Sequence, residues 1–481
     1  TEVRYSDGTA EEYAYDLNGN MTSFKDRDGY EKKFYYDCLG NLEQIEDSVG
    51  IMEKREYYPG GLLKKESHMD GKTREFFYDI NENITQITEN EKTKWFFTYD
   101  VLGRVIKAEQ ENGICETYEY DALGNVISVV NGEGAKTAYH YSMGGLLESV
   151  TDALGNQTGY RYDKCRRLTA ILQPEDGGID AGVLNSLNQE QKAMRTTIYQ
   201  RDLAGNITGV TDPAGNRTIF AYDRCGRPLK RKDADGTSVS CSYNPDGTVQ
   251  GYRFSDGTSI AYEYDAFKNP VCVNDWNGTT RIRTDIMGRI REIMNPDQEI
   301  LKFEWGLRGE KKKVIYPDGM ETMYTYDNGL RITSCKNGQD GVEYSYWPDG
   351  RKKKVDYPGG FSASYKYDAQ GNLAEICNSQ NGKSEEMIRF RYDRAGRRTE
   401  IIKEGKIKES LSYQYDRAGQ LLRVLKNGQT AEIYSYDRFG NRITSSISGK
   451  ETRYQYNKLN QLISRCTDGI TSQFAYDGRG N

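Results

Sequence analysis

Histidines and long apolar runs are what this 481-residue sequence has least of: it holds two histidines, four tryptophans and ten prolines, and hydrophobic residues make up 36%. No stretch approaches the roughly 18 uninterrupted apolar residues of a membrane helix, so no membrane span is expected. His68 and His140 stand outside any HExxH pair, which leaves histidine catalysis and histidine-bound zinc without a basis; both are expected at surface strand positions. Nine cysteines form no CxxC pair, so free thiols are expected rather than a zinc site or a disulfide framework. Gly71-Lys72-Thr73 and Gly382-Lys383-Ser384 resemble the tail of a phosphate loop, but where that loop needs its first glycine the chain has Glu66 in one case and Cys377 in the other. There is no Gly-x-Ser-x-Gly elbow. The sequence therefore points to no catalytic, cofactor-binding or metal residue. Sixty-six Lys and Arg against 72 Asp and Glu give an interspersed net charge of -6, which argues against a nucleic-acid arm. The first residue is Thr1 and no basic-then-apolar leader follows, so the sequence reads as a fragment.

What is abundant is tyrosine. Aromatics reach 12% and 38 of them are tyrosines, an unusual load for a chain that is 29% charged with a mean hydropathy of -0.84. Disordered segments are poor in aromatics, so the chain folds, but not around an ordinary aliphatic core.

The tyrosines are periodic. Tyr15-Asp16 with Gly19-Asn20 is followed by Tyr36-Asp37 with Gly40-Asn41, and the tetrad returns at Tyr120-Asp121 with Gly124-Asn125 and at Tyr436-Asp437 with Gly440-Asn441. Counting degenerate copies such as Arg201-Asp202, Thr284-Asp285 and Trp305, there are 22 repeats, most of them at a step of roughly 20 residues. The steps from Tyr367 to Tyr392 and from Tyr392 to Tyr415 are longer, which suggests longer loops. A second turn signal, such as Asp28-Gly29, Asp318-Gly319 or Asn427-Gly428, lies about midway between successive tetrads. Two turns per repeat predict two strands. Pairs such as Tyr13 and Tyr15 or Tyr434 and Tyr436, spaced by two, project from one strand face. Leu42 and Ile45, or Ile290 and Ile293, are three apart, which requires either a bulge or one residue on each face.

Roughly 44 antiparallel strands at about 4.8 Å each make a sheet on the order of 210 Å wide. Sheets twist and their edges invite aggregation, so a ribbon this wide is expected to coil and enclose space. The fold class is thus all-β, an antiparallel strand spiral forming a hollow shell, with one continuous repeat domain over residues 1–481. One interruption, residues 173–198, carries Val183, Leu184, Leu187, Gln191 and Met194 at helical intervals behind Asp180 and is expected to be a helical insertion. The turn glycine before it is replaced by Arg166, which predicts an irregular turn.

Tyr-Asp-x-x-Gly-Asn with a second Asp-x-x-Gly turn, recurring at this regular step, resembles the YD repeat of the RHS (rearrangement hotspot) family, over nearly the whole chain. Teneurins and the shell-forming components of bacterial insecticidal toxin complexes share it. The resemblance implies a hollow cocoon, which in bacterial members encapsulates a toxic C-terminal polypeptide. The implied function is a non-enzymatic shell segment of a secreted or cell-surface bacterial toxin, whose partner is the C-terminal effector of the same protein. The alternative is a cell-surface adhesin binding glycans or a receptor. Bacterial members usually end in a segment with an aspartate-dependent self-cleavage site; the sequence stops inside a repeat, and no cleavage residue can be transferred to it.

The blander features have structural readings. Repeated turn aspartates cap turns rather than bind calcium, since no 12-residue loop with a closing glutamate exists. Sequons such as Asn206-Ile207-Thr208 fall out of the repeat itself. Lys311 to Lys313 and Arg351 to Lys354 sit at equivalent positions and suggest neighbouring basic rungs, on a solvated strand face or facing an acidic cargo. Tyrosine stripes serve as the packing device of the wall. Sugar-binding solenoids of the cell-wall-anchor type and propellers fit less well, because the first rely on Trp and the second would need 11 blades.

Overall fold

A computed structural model describes residues 1–111, 113–174, 194–477 and 479–481. Among the described residues there are 44 strands, each typically five to eight residues long, which pair antiparallel with their neighbours in sequence. The fold is all-β. Among the described residues the single helical stretch is a 3-10 turn at Pro358–Gly360. Two compact units divide the chain: residues 1–112, 262–389 and 404–407 form the first, and 113–261, 390–403 and 408–481 the second.

The repeat is a hairpin pair in both units. In the first, strand Glu31–Tyr36 runs into the turn at Asp37 and returns as Leu42–Asp47; in the second, Gln429–Tyr436 turns at Asp437 and returns as Arg442–Ile447. The spacing of three after each turn is a bulge: Tyr36 faces Leu42 but Tyr35 faces Gln44, so Glu43 is the extra residue and Leu42 and Ile45 share a face. The same shift separates Thr284, which faces Ile290, from Arg283, which faces Glu292.

Little of this is buried. The chain exposes 29134 Å², whereas a compact 54.9 kDa protein exposes about 18,000 Å². Such an excess means sheet wetted on both faces. The buried apolar side chains are few and scattered, Phe76 and Val314 in the first unit and Leu172 and Val424 in the second among them. Small residues are buried a few residues past the turn, Ser128 opposite Glu119 and Ser445 opposite Tyr434, and the Ser445 hydroxyl lies 3.0 Å from that of Tyr454.

Three expectations are corrected. The two long steps after Tyr367 do not lengthen loops: they lengthen strands, to eight residues in Leu373–Gln380, ten in Lys383–Tyr392 and eight in Arg398–Gly405. The Gln380 to Lys383 pair is closed by only Asn381-Gly382, both at positive φ, the two-residue loop whose twist suits a hairpin. The turn at Arg166 is regular: Arg166 takes φ +63 and donates its N–H to the Asp163 carbonyl at 2.9 Å, as glycine does elsewhere. Its left-handed penalty of about 1–2 kcal/mol is offset by the turn network and by its guanidinium bond to the Gly144 carbonyl. Finally, the basic rungs are not neighbours, since strands Glu321–Tyr326, Ile332–Asn337 and Asp340–Tyr346 separate Lys311–Ile315 from Lys352–Asp356. Lys313 is paired with Glu321 and Lys354 with Asp356. Of the expected helical insertion, Gln173 and Pro174 pair with Arg195 and Met194 in strands, and residues 175–193 lie outside the described residues.

Candidate functional site

The expected repeat residues fall together at one hairpin tip. Tyr15, Tyr36, Tyr120 and Tyr436 each end a strand, and the Asp that follows opens the loop. Asp16 Oδ1 accepts the N–H groups of Asn18 and Asn20 at 2.9 Å, and Oδ2 accepts the Asn20 side-chain amide at 3.0 Å. Asp37 with Asn41, Asp121 with Asn125, and Asp437 with Asn441 repeat the arrangement at 2.8 to 2.9 Å. The glycine closes the loop: Gly19 has φ +87 and donates its N–H to the Asp16 carbonyl at 3.2 Å, and Gly40, Gly124 and Gly440 do likewise in their own loops. With both carboxylate oxygens occupied by donors, these aspartates serve the turn. The Asn41 side chain and backbone N–H groups hold the Asp37 carboxyl below the usual carboxylate range, and Asn20 and Asn125 act alike on Asp16 and Asp121.

Arginine at the Asn position does more. Arg397 Nε donates to Asp393 Oδ2 at 2.7 Å, closing its own turn, while Nη1 donates to the Asp416 carbonyl of the following tip at 3.0 Å. Arg289 does the same for Asp285 and the Gly306 carbonyl. Alternation of Asn and Arg after the glycine is thus a choice between closing one tip and joining two.

The tyrosine joins tips as well. Tyr36, Tyr57, Tyr78 and Tyr99 donate their hydroxyls to the carbonyls of Met21, Leu42, Leu63 and Ile84, each fifteen residues upstream, at 2.7 to 3.0 Å. In the second unit Tyr222 and Tyr436 bind Ile207 and Leu421 in the same way. Trp305 substitutes its indole N–H, donated to Ile290 at 2.8 Å, and Arg201 its guanidinium, donated to Leu168 at 3.3 Å. This link was not anticipated from sequence, although its trace is there: fourteen phenylalanines occur in the chain and none occupies the slot. Apart from Thr284, the position holds a donor at the end of a long side chain.

The second turns bear the remaining structure. In the first unit they meet Tyr-Asp tips from far along the chain. Asp47, its side chain fully buried, accepts the Tyr30 hydroxyl at 2.9 Å and backbone N–H groups of Val49 and Gly50, and pairs with Arg308 at 3.0 Å. Asp28 takes Arg289 Nη2 at 2.6 Å. Arg27 is sandwiched between the rings of Tyr5 and Phe267, at 4.4 and 4.5 Å. In the second unit the Arg394 N–H donates to Glu133 at 2.9 Å, Arg479 pairs with Asp235 at 3.0 Å, and Arg195 stacks 3.6 Å over Phe439. Each unit therefore contains a seam at which tips of one stretch latch onto tips of another. His68 borders this seam, 3.8 Å from Glu66, and His140 pairs with Glu148 at 3.3 Å on an open strand. A cleft of about 730 Å³ beside the first unit's seam is lined by Asp70, Arg74, Arg308, Asp349 and Arg351, and Arg74, Arg308 and Arg351 are ion-paired there, with Glu66, Asp47 and Asp349. All nine cysteines are thiols.

The model of the family described as Teneurin YD-shell matches residues 22–216 and 379–481, more than half the chain. The chain belongs to this family. An RHS Repeat model matches residues 201–238 of the YD-shell. Two crystal structures, of TcdB2-TccC3-TEV and of TcdB2-TccC3 without its hypervariable C-terminal region, align with all of the YD-shell chain at a TM-score of 0.61 and 12% identity. They share its fold. The chain covers 35% and 34% of those structures, about a third of their length. Double-stranded DNA deaminase toxin A of Burkholderia cenocepacia (strain H111) is 24% identical over 142 residues, which are 30% of this chain and 8% of that toxin.

Proposed function

We propose that the chain is a non-enzymatic wall segment of a larger bacterial toxin, secreted or displayed at the cell surface, and that the wall encloses the toxin's C-terminal effector polypeptide. The observation that carries this reading is the exposed area, 29134 Å², against about 18,000 Å² for a compact chain of this mass: a sheet wetted on both faces has an inside to offer. Tip-to-tip latching supports it, because a wall that holds a polypeptide must resist opening between its turns. The family membership and the toxin relative are in keeping with the same role.

The test uses the native protein with its C-terminal region. Limited proteolysis should leave that region intact while the wall is folded and cut it once denaturant opens the wall. Cutting at the same rate in both states would refute enclosure. Solution scattering of the present chain adds a second check, with a radius of gyration well above the about 23 Å of a solid globule of this length.

A further inference from the structure

We propose that one sheet face of the second unit binds an acidic polypeptide segment in extended conformation, in a basic trough that runs along strand Ser238–Tyr243. This goes beyond the enclosing role and stands or falls separately from it.

Charges of both signs are interspersed along most of the chain, but not here. The five consecutive strands Ile207–Thr211, Arg217–Tyr222, Pro228–Lys232, Ser238–Tyr243 and Val249–Phe254 hold five cations and no carboxylate. Pairing decides where those cations stand. Ala221 faces Lys230, Lys230 faces Ser240 and Ser240 faces Arg253, while Ile219 faces Lys232 and Lys232 faces Ser238. Directly opposed residues share a sheet face, so Lys230, Lys232 and Arg253 share theirs with Arg217. Arg231 alone points the other way, and it pairs with Asp233 at 2.7 Å.

Lys230, Lys232 and Arg253 are exposed, and among the described residues none of the three has a carboxylate partner. Arg217 bonds the neutral Gln200 side chain at 2.6 Å. The aspartates of the adjoining turns are occupied, Asp235 by Thr237 and Arg479, Asp246 by Thr248 and Asp256 by Thr258. Like charges on neighbouring strands destabilise a sheet, and nothing on this face offsets them. A bound carboxylate does so.

The relief of the face suits a chain rather than a point ion. Short residues, Ser238, Ser240, Ser242 and Gly251, form a floor between the long cationic side chains. Lys230 and Arg253 each stand one strand spacing, about 4.8 Å, from Ser240 on opposite sides, which leaves its hydroxyl between two cations. Lys230 and Lys232 are alternate residues, about 6.8 Å apart, and this is also the spacing of alternate carboxylates along an extended peptide. Strand Ser238–Tyr243 is paired on both sides, so the partner is held by side chains and not as an added strand. The rings decide against other polyanions: Phe220, Tyr222 and Tyr243 project from the opposite face, and this one offers none on which a base or a sugar can stack. Further paired strands flank the five on both sides, and the seam meets them at the Asp235 turn, so the trough is not an edge.

The probe is a dye-labelled oligoglutamate of about eight residues, which at about 3.4 Å per residue spans the strand. Fluorescence anisotropy at low salt should show it binding the wild-type chain. Lys230→Ser with Lys232→Ser and Arg253→Ser should weaken binding at least about tenfold. Lys383→Ser with Lys406→Ser and Lys450→Ser removes as many exposed cations from positions beside other turns and should leave binding unchanged. Carbodiimide, which couples a carboxylate to a nearby ammonium group as an amide, should place the peptide on Lys230 and Lys232 of the wild-type chain, a readout that needs no variant to fold. A wild-type chain that does not bind the peptide overturns the proposal. So does an equal loss in the two triple variants, which is net charge alone, or coupling confined to other lysines. Tighter binding of an oligothymidylate of equal charge also overturns it, by making the partner a nucleic acid. Cargo protection in the native protein does not depend on any of these outcomes.

Discussion

The buried carboxylate of Asp47 is held by the Arg308 guanidinium, 3.0 Å away, although the two lie in distant repeats of the chain. Breaking a buried ion pair by removing one partner leaves a charge without compensation, at a cost of about 3–5 kcal/mol. Asp47 keeps the Tyr30 hydroxyl and two backbone N–H donors, so Arg308→Ala is expected at the low end, about 3 kcal/mol. Denaturant titration should show the loss, and hydrogen exchange should place it at Asp47 to Gly50.

Replacing Tyr436 by Phe keeps the ring and removes only its donor to the Leu421 carbonyl. The expected cost is about 1 kcal/mol. Trp305→Phe should cost more, because it loses the indole donor to Ile290 and also shrinks the ring that stacks with Phe303 and lies under Lys311. A Tyr436→Phe chain as stable as wild type would show that ring packing alone holds the tips.

Glu82 occupies the glycine position of its turn at φ +66 and is exposed. Glu82→Gly relieves about 1–2 kcal/mol of left-handed strain and returns part of it as extra freedom of the unfolded chain. A net gain of about 0.5–1 kcal/mol is expected, seen as a raised denaturation midpoint.

Stability should fall at both pH extremes, for opposite reasons. Asp16, Asp37 and Asp121 have folded pKa values below the ordinary 3.8, so their contribution is complete above about pH 4 and is lost as pH falls through the depressed values. Tyr30 is pushed up to about 12, first by burial and then by its bond to Asp47; Tyr118 reaches about 12, first through its bond to Glu116. Their neutral forms favour the fold below about pH 10, and that support disappears between pH 10 and 12. Melting temperature against pH should be flat between, with both shoulders present.

Much of the fold was legible because a hairpin is a local object. The Asp, the left-handed glycine and the tyrosines spaced by two are close neighbours in sequence, and they predict two strands per repeat, as observed in the 44 strands. The bulge at Glu43 was not decidable, since alternation tolerates a residue on either face until pairing is known. Reading the long steps after Tyr367 as loops failed because extra residues in a hairpin extend the ladder whenever both strands grow together. The regular turn at Arg166 was missed because an absent glycine was taken to make the turn irregular, although Asp163 still supplies the acceptors. The seam was the least visible feature. Every repeat resembles every other, so nothing local names a partner in a distant repeat; sheet twist sets how many repeats pass before tips meet.

That number is constant where sequence separations are not. Asp28 and Arg289, like Glu133 and Arg394, are 261 residues apart, while Asp235 and Arg479 are closer in sequence, yet in every pair the partner is the twelfth Tyr-Asp tip further along. The difference is absorbed by the interruption after Pro174, which lengthens one hairpin without adding a repeat. Such a chain can drift in length hairpin by hairpin and keep every partnership. Duplication or loss of a single whole repeat would instead reassign every later tip to a stranger. Repeat copy number, rather than length, is the heritable quantity that such a wall constrains.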